Sequence, residues 1–278
     1  MVSNTESIIE AAREFIPVLK QRAERQWRQN KILDETVRDM NERKLFSLLK
    51  PRRFGGVECS AKDFFEIVML LAEGDASVAW VAGVLNSHDF HLAMFDEQAQ
   101  QDVWAGGQQA LIGSPYAPVG QVKPVDGGFL LSGTFKFSSG CDICDWSLLG
   151  GNIPDPDGAT STGMYGASHA AFLLPRTDYE IRQNWNVHGL KATGSHDLIV
   201  KDAFVPLHRT LRFSHLIQGD APGKRMNGTP LYETPFFQIL SRVTSTPVSV
   251  GILKGMVHDF IELTKTRTTV SGANPIKD

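Results

Sequence analysis

Two serines, Ser138 and Ser139, close an aromatic run that reads Gly133-Thr134-Phe135-Lys136-Phe137-Ser138-Ser139-Gly140, and Trp146 follows shortly after. The run offers a flat apolar wall, two short hydrogen-bonding groups and a glycine whose backbone can approach a ligand closely. Such a site suits a planar heteroaromatic ring. A second segment, Asn86-Ser87-His88-Asp89-Phe90-His91, carries histidines that titrate near neutral pH and can exchange protons with a phenolic or heterocyclic atom. Helical spacing puts His88 and His91 on roughly one face, which is half of a metal site without an evident third ligand. Each feature also has a plainer reading. The serines can be turn hydroxyls, Trp146 a core aromatic and His88 a satisfied histidine near a helix end.

A third segment, Trp185-Asn186-Val187-His188-Gly189-Leu190-Lys191-Ala192-Thr193-Gly194-Ser195, makes the pattern recognisable. Together these stretches resemble the acyl-CoA dehydrogenase fold, and within it the two-component flavin-dependent monooxygenases that act on aromatic compounds. Acyl-CoA dehydrogenases usually read G-x-K-x-W-I-T-N where this chain has Phe135-Lys136-Phe137-Ser138-Ser139-Gly140. They read T-E-P-x-x-G-S-D where it has Ile112-Gly113-Ser114-Pro115-Tyr116-Ala117-Pro118. Both replacements resemble the hydroxylase branch. Pro51-Arg52-Arg53-Phe54-Gly55-Gly56 and Ala203-Phe204-Val205-Pro206-Leu207-His208-Arg209 extend the resemblance over nearly the whole chain.

The resemblance implies an oxygenase component that uses reduced flavin and O2, through a C4a-(hydro)peroxyflavin, to hydroxylate or epoxidise a phenol- or indole-type substrate. FADH2 is preferred to FMNH2, and a separate NAD(P)H-dependent flavin reductase supplies it. By position, Ser139 resembles the family serine near flavin N5, and Ser138 is assigned a backbone or ring-edge contact. Trp146 is a candidate wall for the ring, His88 faces the substrate pocket, and Ser114 contacts flavin or substrate. Thr193, Gly194 and Ser195 resemble the loop near the flavin side chain, where hydroxyls can donate to phosphate oxygens. That loop is far weaker than a G-x-G-x-x-G fingerprint and has no Rossmann unit around it. Arg267 sits where relatives hold the dinucleotide across a subunit interface of a homotetramer. Arg242 is a further candidate flavin contact, with a structural ion pair as its alternative. The rival readings are a flavin dehydrogenase acting on an acyl thioester, an N- or S-oxidising relative, and a non-catalytic remnant.

The elements that must position these residues follow from periodicity. Residues 1–105 read as a helical domain. Apolar residues from Ile8 to Ala23 recur at helical spacing with Pro17 as a break or kink, and a second helix starts at Asp34 as N-cap. Further helices run over Ala61–Glu73 and from Ser77 toward Phe95. After Gly106-Gly107 the pattern changes, and 106–215 reads as a β-barrel or sandwich domain. Residues 121–125 and 129–133 form a hairpin about Asp126-Gly127-Gly128, and strands follow at 146–150, 170–174 and 197–205. Asn152 to Ser168, rich in turn formers, reads as an exposed loop. From Thr234 the apolar period is helical again, so 216–278 reads as the start of a C-terminal helical domain, with Pro247 kinking it or starting a new helix. The expected class is α+β. Family members continue beyond this point, so the resemblance implies an incomplete bundle, and a flavin-flanking histidine of the family's C-terminal region has no counterpart here.

Composition sets outer limits. The 278 residues are 42% hydrophobic and 21% charged with a net charge of −3, the profile of a globular protein with no basic stripe for nucleic acid. No apolar run approaches the roughly 20 residues needed to span a bilayer, and no signal-like leader is seen, so a cytoplasmic location is expected. Cys141 and Cys144 form one C-x-x-C without a second pair, which reads as two semi-buried thiols near the flavin loop rather than a zinc or redox site.

Overall fold

The computed structural model describes residues 4–107, 109–154, 163–235, 239 and 246–267. Its first part is helical: α1 (Asn4–Gln29), α2 (Asp34–Glu42), α3 (Ala61–Gly74), α4 (Ala76–Leu92) and α5 (Glu97–Trp104). The helix α1 buries Ile8, Ala12, Phe15 and Leu19 along one stripe. It continues through Pro17 instead of ending there. Asp34 is not the cap of α2. Leu33 takes that position, its N–H donating to Gln26 Oε1 at 3.2 Å, while Asp34 lies in the first turn, where a carboxylate favours the helix dipole. The helix stops at Glu42 because Lys44 turns left-handed (φ 57°), so Leu45 and Phe46 are core residues beyond it. Ser60 caps α3 by accepting from the Asp63 N–H, and Asp75 caps α4 by accepting from Ser77 and Val78. The separate helix α5 is capped by Asp96.

The middle of the chain forms two four-stranded sheets. One has the order β1-β4-β5-β8, from Ile112–Gly113, Trp146–Asn152, His169–Pro175 and Thr210–Arg212. The other has the order β2-β3-β7-β6, from Gln121–Val125, Gly128–Ser138, His196–Pro206 and Glu180–Arg182. The expected hairpin is present, pairing Val125 with Gly128 across Asp126-Gly127. The first sheet is covered on both sides. Leu148, Ala171 and Leu173 point into the core shared with the helices, and Leu149, Ala170, Phe172 and Leu174 into the core between sheets. That double cover explains the unbroken apolar run of β5, since a half-exposed strand alternates instead. The result is a β-sandwich with helices laid against one face. Of the loop expected over Asn152 to Ser168, residues 155–162 lie outside the described residues.

Short helices Phe213–Gln218, Pro222–Asn227 and Pro230–Glu233 lead to a long helix, Thr246–Thr266. Pro247 falls in the first turn of the described helix, and residues 240–245 before it lie outside the described residues. This helix packs on α3 through glycines. A Cβ on Gly251 would lie 2.2 Å from the Met69 carbonyl oxygen, and one on Gly255 2.8 Å from that of Glu73. Lys254 and His258 reach the buried Glu73 carboxylate. The opposite face leaves Leu253, Met256 and Phe260 exposed.

Candidate functional site

The hydroxyls singled out by the sequence converge where the end of β3 meets α4. The β3–β7 register shifts between Phe135 and Ser138, and Phe137 adopts a left-handed φ of 64°. This bulge turns the Phe137 ring outward, 68% exposed, with its edge against Trp185 at 6.1 Å. A bulky residue in that conformation stores roughly 1–3 kcal/mol of strain, a common mark of a functional site. Ser138 then points inward, fully buried, with no hydrogen-bond partner for its Oγ among the described residues.

Ser139 faces α4 and the 190–195 turn. Trp80 Nε1 donates to Ser139 Oγ at 3.1 Å, and Ser139 Oγ lies 2.8 Å from Ser195 Oγ. Ser195 Oγ is in turn 2.7 Å from Thr193 Oγ1, which donates to the Leu190 carbonyl at 2.8 Å. Thr193 and Ser195 are buried, and their hydroxyls engage each other and Ser139. The two loops are stitched together from below. Gly140 N–H donates to the Thr193 carbonyl at 2.7 Å, Cys144 Sγ to that of Gly140 and Cys141 Sγ to that of Gly194. Burial pushes the Cys141 thiol up to about 12 and raises Cys144 as well, so both remain protonated, inert thiols. Gly194 needs its left-handed φ of 52°, and a Cβ there would lie 2.8 Å from Asp142 Oδ2.

The second group is centred on His88. Its Nδ1 is 2.6 Å from the Ile112 carbonyl and its Nε2 2.7 Å from Ser114 Oγ. A carbonyl only accepts, so Nδ1 carries the proton and Nε2 accepts from Ser114. Complete burial lowers the His88 pKa to about 4, partly offset by the bond to Ile112, and the ring is neutral at physiological pH. Tyr116 Oη lies 2.9 Å from His91 Nδ1. His88 and His91 thus serve different hydroxyls, and among the described residues no group of His, Cys, Asp and Glu is placed to hold a metal ion. The two groups adjoin. A Cβ on Gly113, the neighbour of Ser114, would lie 3.4 Å from Ser138 Oγ and 3.2 Å from Cys144 Sγ.

No protein-family model matches the chain. The flavin-dependent monooxygenase oxygenase subunit HsaA of Mycobacterium tuberculosis is 35% identical over 259 residues, covering 93% of this chain and 64% of that protein. The crystal structure of the M. tuberculosis HsaA monooxygenase superposes with a TM-score of 0.87 at 35% identity, over 93% of this chain and 69% of that one. The chain belongs to the family of flavin-dependent monooxygenase oxygenase components. The 3-HSA hydroxylase of Rhodococcus sp. RHA1 superposes at 0.89 with 33% identity, over 96% of this chain and 68% of that chain. XiaF from Streptomyces sp., solved with FADH2 and glycerol, superposes at 0.84 with 25% identity, over 98% and 66%. These likenesses carry the expected acyl-CoA dehydrogenase-like architecture of mixed helix and sheet. The chain spans less than two-thirds of the length of the curated HsaA relatives it matches, 64% of the M. tuberculosis protein.

Three further site residues were expected of this family member, namely Trp146, Arg267 and Arg242, and Trp146 pairs with Ile112 across β1 and β4. Trp146 begins β4 with its ring beneath the Arg209 guanidinium at 5.0 Å, and Arg209 is paired with Asp102 of α5. This geometry supports packing between sandwich and helices. Arg267 is exposed just past the C-terminal helix, and Arg242 lies outside the described residues. Trp80 and Tyr116 are the partners that sequence reasoning missed. One signal was present for Trp80, a side chain with a single N–H in the first half of α4, where residues 76–85 are otherwise small or aliphatic and that donor must find an acceptor.

Proposed function

We propose that this chain forms the oxygenase component of a two-component monooxygenase, taking FADH2, or alternatively FMNH2, from a separate NAD(P)H-dependent flavin reductase. Its reaction is the hydroxylation or epoxidation of a phenol- or indole-type compound. The observation that carries this reading is that one helix, α4, holds two unlike hydroxyl groups, Ser139 through Trp80 and Ser114 through His88. One suits a flavin ring edge, the other a substrate hydroxyl.

The residues present fit a flavin. Ser139 offers a half-buried hydroxyl, and Phe137 and Trp185 offer aromatic surface beside it. Reduced flavin with dioxygen supplies the oxygen-transfer chemistry when bound. Ser138, Ser139, Thr193, Gly194 and Ser195 shape the ring-edge contact, and Arg267 suits the longer dinucleotide. At the substrate end, a phenolic O–H donates to Ser114 Oγ while Ser114 passes its own proton to His88 Nε2. Nδ1–H of His88 stays on the Ile112 carbonyl and fixes the ring orientation. The phenol gains electron density at the ring positions that accept oxygen, and the weakly basic, buried imidazole returns the proton readily afterwards. The exposed apolar face of the C-terminal helix supports assembly with further helices, consistent with a homotetramer.

The test is rapid mixing of protein and anaerobically reduced FAD or FMN with oxygen, followed by product analysis with phenols and indoles. The reading expects an oxygenated aromatic product and a slowed return to oxidised flavin. Flavin reduction by acyl thioesters without oxygenated product would assign the chain to the dehydrogenase branch. Failure to bind flavin would leave a non-catalytic role.

A further inference from the structure

The hydroxyl chain behind Ser139 has a direction, and one carbonyl sets it. Thr193 Oγ1 donates its only proton to the Leu190 carbonyl at 2.8 Å. In the 2.7 Å contact with Ser195 Oγ, therefore, Thr193 must accept and Ser195 must donate. The Ser195 proton is then spent. The 2.8 Å contact between Ser195 and Ser139 consequently runs from Ser139 as donor to Ser195 as acceptor. Trp80 Nε1 can only donate, and it occupies one Ser139 lone pair at 3.1 Å. What remains on Ser139 is a single lone pair and no free proton. Each link follows from counting one hydrogen per hydroxyl.

Resting on the flavin reading above, we propose that Thr193 and Ser195 are positioning residues that make Ser139 a pure acceptor, so that the site selects reduced flavin over oxidised flavin. The N5 atom of reduced flavin bears a hydrogen and needs an acceptor. The N5 atom of oxidised flavin bears a lone pair and needs a donor. A freely rotating serine serves both. This one serves only the first, because reversing it breaks the Ser139–Ser195 bond or sets two lone pairs against each other. The burial of Thr193 and Ser195 keeps water from supplying a substitute proton. An oxygenase component that exchanges flavin with a reductase gains from this polarity, since it holds the form it consumes and releases the form it produces.

The test measures dissociation constants for oxidised and dithionite-reduced FAD, and for both forms of FMN, on the intact chain and on Thr193→Val, Ser195→Ala and Thr193→Ser. In Thr193→Val the Ser195 proton turns toward Ser139, and in Ser195→Ala the Ser139 proton is freed toward the ligand. The ratio of oxidised to reduced dissociation constants should fall by about tenfold in both, the factor that one hydrogen bond's net worth commands. Thr193→Ser keeps the hydroxyl and should restore the ratio of the unmodified chain. A loss of affinity that is equal for both redox states, with the ratio unchanged, would reduce Thr193 and Ser195 to loop stability and overturn the proposal while leaving the flavin site intact. Absence of binding by the unmodified chain in either state would overturn the flavin reading itself.

Discussion

Trp80 and His88 stand about two turns apart on α4, and each fixes a serine contributed by a loop of the sandwich domain. Trp80 donates to Ser139, and His88 accepts from Ser114. A single helix therefore sets the spacing between the two hydroxyls proposed above to face flavin and substrate. Along α4, from Ser77 onward, only Trp80 and Val84 keep partial exposure, a stripe that leads to His88 in the next turn.

With Ser139 meeting the flavin as proposed, Ser139→Ala removes that acceptor from the ring edge and takes from the Trp80 N–H its hydrogen-bond partner. Reduced flavin should bind about tenfold more weakly, the value of one hydrogen bond. A larger share of consumed oxygen should appear as hydrogen peroxide instead of hydroxylated product. Titration with reduced flavin and a peroxide assay measure both, and an unchanged product-to-peroxide ratio would remove Ser139 from the chemistry.

His88→Asn and Ser114→Ala act on the other end. Each breaks the path by which a phenolic proton leaves, so turnover with phenols should fall by roughly 10²–10⁴-fold, the usual worth of a positioned acid–base group. Flavin affinity should hold. A matched substrate lacking the hydroxyl should lose far less in the variants, which separates proton transfer from mere loss of pocket shape.

The helices and main strands were legible because their apolar periods are long and unmixed, as in α1 and β5. The details that build the site were not. The bulge at Phe137 depends on how β3 pairs with β7, and no local propensity places a phenylalanine at positive φ. Asp34 resembled a cap, but Leu33 takes that position, its carbonyl accepting from the Thr36 and Val37 N–H groups while Gln26 of α1 holds its N–H. Ser139 and Ser195 were both visible as candidates. Their hydrogen bond joins residues far apart in sequence and follows from tertiary contact alone.

His88 also leaves a mark on stability. Its pKa falls from 6.5 unfolded to about 4 folded, so between those values the unfolded chain binds the proton more readily. The stability it confers is complete above pH 6.5 and is lost as pH falls toward 4, by roughly 3 kcal/mol in all. His91 and His169, also lowered by burial, act in the same direction, whereas the raised carboxyls of Asp75 and Asp89 oppose it. The informative quantity is thus a difference. Urea unfolding from pH 7 to pH 4 should show the intact chain losing ground relative to His88→Gln, and parallel curves would refute the assignment.

Trp146 separates packing from cofactor contact. Its ring lies under Arg209, whose Nε is 2.7 Å from Asp102 Oδ2, and His208 Nε2 reaches the same oxygen at 2.8 Å. The cluster ties the start of β4 and the 207–209 turn to α5. Trp146→Leu removes the cation–π contact and part of the buried ring, a loss of roughly 1–3 kcal/mol in unfolding free energy. Arg209→Met should cost a similar amount and, combined with Trp146→Leu, less than the sum, because both single changes break the same contact. If Trp146 serves packing alone, reduced-flavin affinity in the folded Trp146→Leu protein equals that of the intact chain. A several-fold loss of that affinity, with Arg209→Met unaffected, would instead return Trp146 to the wall of the flavin site.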